Sequence, residues 1–227
     1  MLFAEKLALF LMLCLACSAH STLSGQACPD VELPATTSTS VELPLDTFEG
    51  VAMLDAAPPT PPPPQRILLI GDSEVLYLSW YFDRANVKQP NETVLFDSKP
   101  GTTIGTWNSI FVQEMSRYPR LDMVIILLGT NNFNFDFLQA HQSILDEVKR
   151  RNIKCLWVGP TDVKMKGWKN LHMTGPFIKE AVDGTCTYFD TEAANIELAD
   201  GVHPTLAGGI KWLQLIWEAK DQKPAPN

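Results

Sequence analysis

The chain has 227 residues, room for one ordinary domain with appendages or for two small domains. Hydrophobic residues make up 45% and aromatics 9%, enough apolar side chain to bury a core, which excludes a wholly disordered chain. There are 26 acidic residues against 18 basic ones, and a net charge of −8 argues against a phosphate backbone, hence nucleic acid, as the main partner.

The acidity is concentrated at the front. From Arg66 onward the chain carries 19 acidic and 17 basic residues, so that part is nearly neutral. This suits a neutral substrate without selecting one. Five cysteines are too few for a disulfide-built scaffold. There is no CxxC pair and no HExxH helix, so no metal is expected and no cofactor is called for.

Residues 1–20 read as an export signal. Leu7 to Ala16 is an unbroken apolar run of ten residues, with Lys6 before it and small residues after it. Ten helical residues span about 15 Å, half the hydrocarbon core of a bilayer, which fits a signal-peptide core better than a membrane span. A buried N-terminal helix is the blander alternative. Cys17 is a candidate lipid-attachment cysteine and so a membrane tether, with unanchored secretion as the other branch. Residues 21–65 contain no Lys or Arg, and nine of the seventeen prolines fall between 29 and 65. Consecutive prolines favour the extended polyproline helix, so this segment reads as a disordered linker.

At Arg66 the pattern changes, and the domain is expected over 66–227. Short runs apolar on both faces occur at 67–70, 93–96, 123–128, 155–158 and 187–189, the signature of parallel strands covered by helices. Helical patterns lie between and after them, at about 74–83, 105–117, 136–151, 173–182 and 206–220. This alternation predicts an α/β domain, a three-layer α/β/α sandwich on a five-stranded parallel sheet. In such sheets ligands bind beyond the carboxyl ends of the strands.

Four motifs stand at those ends. The first strand closes on Gly71-Asp72-Ser73-Glu74, with Ser73 at the start of a helix whose first N–H groups favour negative charge. Alone, the tetrapeptide reads first as a helix cap, by Ser73 or Asp72. Gly101-Thr102-Thr103 follows the second strand, where Gly101 offers an unobstructed backbone N–H. Gly129-Thr130-Asn131-Asn132 follows the third, and Asn131 can direct amide hydrogens at a developing oxyanion. Both also read as plain turns. Asp200-Gly201-Val202-His203 precedes the last helix. A carboxylate three residues before a histidine can take its Nδ1–H and leave Nε2 to act as base.

The order of these motifs along residues 66–220 resembles the SGNH hydrolase superfamily, the GDSL-type esterases and lipases. Glu74 stands where the name-giving pattern has leucine, and Asn132 where aspartate is usual. The resemblance implies a flavodoxin-like fold, a Ser73-His203-Asp200 triad and an oxyanion hole built from the N–H groups of Ser73 and Gly101 and the amide of Asn131. It implies a serine esterase, and export points to short acyl groups such as O-acetyl on envelope or extracellular carbohydrate. Acyl transfer or lipase action by the same site, and a non-catalytic carbohydrate-binding protein on the same fold, are the alternatives. Trp80, Tyr81, Trp107 and Trp168 are candidates for stacking on sugars, although aromatics are more often core.

Cys155 and Cys186 lie at matching depths on successive strands. If those strands are parallel neighbours their α-carbons fall about 5 Å apart, within disulfide range. The alternative is two reduced core thiols. Asn91-Glu92-Thr93 is a glycosylation sequon, of consequence only in a eukaryotic secretory route.

Overall fold

In the computed structural model of the chain, residues 62–132, 140–163 and 171–222 are described. The export signal, Cys17, Cys28, Trp168 and the linker up to residue 61 lie outside them.

Strands and helices alternate: β1 (Gln65–Gly71), α1 (Ser73–Ala85), β2 (Glu92–Ser98), α2 (Ile104–Ser116), β3 (Met123–Leu127), α3 (Gln142–Arg151), β4 (Lys154–Val158), α4 (Leu171–Val182), β5 (Thr187–Phe189) and α5 (Leu206–Lys220). All strand pairs are parallel, in the order β2-β1-β3-β4-β5. The ordered domain starts slightly before Arg66, since Gln65 already pairs with Glu92 and the Asn91 side chain donates to the Pro63 carbonyl at 2.8 Å.

The two-residue period of a strand explains the layers. Ile67, Leu69, Ile125, Leu127, Leu156 and Val158 pack with the apolar residues of α1 and α5. Their neighbours Leu68, Ile70, Val124, Ile126 and Trp157 pack with α2, α3 and α4 on the opposite face. Both faces of the sheet are therefore covered, and this is why the strand segments read as continuous apolar runs. Helices α1 and α3 stop at Asn86 and Asn152, which take left-handed φ values of 50° and 53°. Asparagine tolerates that region better than other side chains with a β-carbon.

Trp107 belongs to the core. It is wholly buried, with its indole N–H donated to Thr102 Oγ1 at 2.9 Å, so it has no face free to stack on a sugar. At the β5 edge of the sheet, Leu156 pairs with Thr187, which sets Cys155 beside Cys186 one residue earlier. The two are joined as a disulfide with a Cα–Cα distance of 4.6 Å and a sequence separation of 31. By loop-closure entropy, a bond closing a loop of that size restricts the unfolded chain by roughly 3–4 kcal/mol.

The chain runs from β1 outward to β2 on one side and to β3 on the other. The order reverses at β1, and the crevice beyond the carboxyl ends of β1 and β3 is the place a ligand is expected in a doubly wound sheet. Gly71 closes β1 there, packed so tightly that an added β-carbon would lie 2.1 Å from the Leu127 carbonyl oxygen.

Candidate active site

Asp72 caps helix α1, its carboxylate accepting the Glu74 N–H at 3.0 Å. The capping role that Gly71-Asp72-Ser73 suggests is thus filled by Asp72, and the Ser73 hydroxyl is left for another partner. That partner is His203, whose Nε2 lies 2.9 Å from Ser73 Oγ across 130 residues of sequence.

His203 and Asp200 reach the site as one local unit. The Ala199 N–H donates to the His203 carbonyl at 2.8 Å and the Thr205 N–H to the Glu197 carbonyl at 3.0 Å, with Leu198 bridging Pro204. Inside this loop Asp200 Oδ1 accepts the N–H groups of Val202 and His203, at 2.9 and 2.7 Å. Asp200 Oδ2 lies 2.7 Å from His203 Nδ1. Partial burial pushes the Asp200 carboxyl upward, but the hydrogen bonds from the His203 ring and the two backbone N–H groups outweigh this and hold it at about 2. An ionised carboxylate only accepts hydrogen bonds, so Nδ1 carries the proton and Nε2 presents its lone pair to the Ser73 O–H.

Tyr77 completes the placement of the imidazole. It lies one helical turn after Ser73, on the same face of α1, and its ring stacks on that of His203 at 4.6 Å and 13°. An aromatic face stabilises a neighbouring cation, so this contact strengthens once His203 has taken a proton. Tyr77→Phe is expected to keep wild-type turnover of an ester, while Tyr77→Ala lowers kcat roughly threefold to thirtyfold, as measured by steady-state kinetics. Equal losses in both variants would show that the hydroxyl, not the stacked ring, is what matters.

The third group is Asn131. Its Nδ2 donates to Asp72 Oδ2 at 2.8 Å and to the Thr102 carbonyl at 3.1 Å. It therefore sits between the turn that carries Ser73 and the turn that carries Gly101. Gly101 has φ +76°, and among the described residues no atom beyond its chain neighbours lies within 4 Å of where a β-carbon would be, so its backbone is exposed. Asn132, in the position where the resembled family has aspartate, accepts the Ile104 N–H at 3.0 Å and ties the start of α2 to the end of β3.

Sequence reasoning missed two further members of this cluster. Asp72 and Glu74 are 0% and 1% exposed. Burial raises Asp72 to about 6 against the lowering effects of the Glu74 N–H, Asn131 and His203. Burial, then the neighbouring Asp72 charge, raises Glu74 well above the ordinary carboxyl range, although Thr130 and Thr161 act the other way. The signal available in the sequence was the acidic residue in the position of the family's leucine. Nothing local showed that it would be buried.

No protein-family model matches the chain, and no curated protein matches it in sequence. Solved structures do. An acetyl xylan esterase is similar with TM-score 0.57 at 15% identity, over 68% of this chain and 98% of the other. The C-terminal catalytic domain of Streptococcus pneumoniae peptidoglycan O-acetyltransferase A, with a methylsulfonyl adduct, gives TM-score 0.54 at 21% identity, over 70% and 93%. A lipolytic protein of the G-D-S-L family from Veillonella parvula gives 0.51 at 13%, over 67% and 96%. Together with the five-stranded parallel sheet and its strand order, these likenesses show that the chain has the SGNH hydrolase fold, the α/β fold of the G-D-S-L esterases and lipolytic proteins.

Proposed function

We propose that this protein is a serine ester hydrolase that removes short acyl groups, O-acetyl foremost, from carbohydrate. The observation that carries the reading is the relay Ser73 Oγ–His203 Nε2–His203 Nδ1–Asp200, with links of 2.9 and 2.7 Å. In this mechanism Nε2 takes the Ser73 proton as Oγ attacks the ester carbonyl, and Asp200 supports the imidazolium. The tetrahedral oxyanion is held by the N–H groups of Ser73 and Gly101 and by the Asn131 amide. His203 then returns its proton to the departing alcohol oxygen. Water, deprotonated by the same nitrogen, releases the acid from Ser73 and restores the enzyme.

Carbohydrate is supported by an aromatic approach to the imidazole. Trp80 is 57% exposed and its ring lies 4.9 Å from Tyr77, which stacks on His203. Two of the similar structures bear names that refer to polysaccharide, xylan in one and peptidoglycan in the other. The apolar leader at 7–16 and the Cys155–Cys186 disulfide favour export, because such bonds persist in oxidising compartments. Cys17 is the proposed point of lipid attachment in the anchored form. Acyl transfer to a second alcohol is the other reading, favoured by the likeness to the O-acetyltransferase domain.

The test is purified protein with aryl acetate, acetylated xylan and a long-chain aryl ester, together with mass spectrometry after treatment with a phosphonate or sulfonyl fluoride. Acetate release and an adduct on Ser73 are expected. Absence of turnover on every ester would sink the reading, and preference for the long chain would convert it to a lipase. Accumulation of acylated acceptor in place of free acetate would favour the transferase.

A further inference from the structure

We propose that Asp72 and Glu74 act as a buried acid pair sharing one proton, which aims the Asn131 carboxamide into the oxyanion site, with protonated Glu74 as the positioning residue. Its kinetic arm rests on the ester-hydrolase reading above; its spectroscopic arm does not.

The geometry has three parts. Glu74 holds both ends of the Asp72–Asn131 contact. Its backbone N–H reaches Asp72 Oδ1 at 3.0 Å, and its side chain accepts the hydroxyl of Thr130, the residue before Asn131, at 2.8 Å. Asp72 in turn takes one amide hydrogen of Asn131. The turn that presents the nucleophile is thereby linked to the loop that presents the carboxamide, through groups that are all but inaccessible to water.

The second part is charge. Two ionised carboxylates side by side in such a place need a counter-ion. The groups facing the pair are Asn131 and Thr130 from the loop after β3, Thr161 from the loop after β4, and His203 from the loop before α5. Among the described residues, no lysine or arginine forms an ion pair with either carboxylate. One proton therefore stays. It stays on Glu74, because Asp72 receives the Glu74 N–H and the Asn131 amide, whereas Glu74 receives hydroxyl compensation alone, from Thr130 at 2.8 Å and from the buried Thr161 beside it. The hydroxyl is the weaker compensation.

The third part is the state of Asn131. Both of its amide hydrogens are occupied, one on Asp72 at 2.8 Å and one on the Thr102 carbonyl at 3.1 Å. The charged acceptor is the stronger anchor, so the hydrogen on Thr102 is the one handed to the oxyanion as charge develops. Asp72 keeps the other and fixes the plane of the amide. With Glu74 neutral, the single negative charge of the pair remains on the carboxylate that holds Asn131.

The experiment compares Glu74→Gln, an isostere of the protonated acid, with Glu74→Leu. Glu74→Gln is expected to keep kcat within about threefold, leave KM unchanged, and give a pH–kcat profile that overlays wild type from about pH 5 to 8. Glu74→Leu should lose kcat on the order of tenfold or more with KM unchanged. In the infrared, wild type at neutral pH should show the C=O stretch of a buried protonated carboxyl, and Glu74→Gln should lack it. A pH profile displaced in Glu74→Gln, or a missing infrared band, would mean that Glu74 is charged, and the idea fails. Wild-type kcat in Glu74→Leu would remove the positioning role. If Glu74→Leu does not fold, the Gln variant and the infrared band still decide. A band present in a protein that cleaves no ester would uphold the proton pair and count against the hydrolase reading alone.

Discussion

Replacing Ser73 with alanine is expected to lower kcat on a short-chain ester by about 10⁴ or more, and His203→Ala by a similar factor. In a well-studied enzyme with this triad, loss of the serine or the histidine costs on the order of 10⁶ in kcat, and loss of both costs little more because they act as a unit. Here the two are coupled by one 2.9 Å hydrogen bond, so the double variant should be no slower than either single one. KM should barely move, since neither group is asked to bind the ground state. The check is steady-state kinetics with circular dichroism on the same samples. Undiminished hydrolysis by folded Ser73→Ala protein would remove Ser73 as nucleophile. Strongly additive losses in the double variant would separate the histidine from the serine.

Asn131→Ala should cost on the order of 10² to 10³ in kcat, the usual consequence of deleting one oxyanion donor. It also leaves the Asp72 carboxylate, 0% exposed, without the amide that compensates its charge. The lost hydrogen bond lowered the pKa of Asp72, so that pKa should rise further in the variant. The sign follows from linkage. A carboxyl whose pKa is higher folded than unfolded makes the fold less stable as pH climbs through the interval between the two values. For Asp72 that interval runs from about 3.8 to about 6 in the native protein, and its upper end should move higher in Asn131→Ala. Urea midpoints taken across pH 5 to 8 should therefore fall more steeply in Asn131→Ala than in wild type. Parallel curves would show that Asn131 does not compensate the buried charge.

The architecture was legible because both sides of the sheet are covered. Runs such as Ile67–Ile70 and Met123–Leu127 carry no polar alternation, so their burial is written in composition alone. The structure brings Ser73, His203 and Asp200 together and sets Asn131 between the Ser73 and Gly101 turns, so loops that the short motifs marked far apart in the chain meet in space. What those motifs lack is orientation. Trp107 and Trp80 are both tryptophans on helices, yet one is wholly buried and the other 57% exposed, and only packing separates them. Alone, Gly71-Asp72-Ser73-Glu74 reads as a helix cap, and nothing in it shows that Asp72 and Glu74 are buried. Their burial comes from the close approach of β1 to β3 and from the Thr130 and Asn131 loop folding over them. These contacts span 56 and 59 residues, beyond the reach of any local pattern.

The chain positions of the relay also carry a timing. β1 is an inner strand and the first of the sheet to be made, while the loop with Asp200 and His203 precedes the final helix. A growing polypeptide on the ribosome exposes the serine turn long before the imidazole has been translated. The hydroxyl has no base until α5 docks over α1. Synthesis order alone thus withholds the Ser73–His203 hydrogen bond from the unfinished protein.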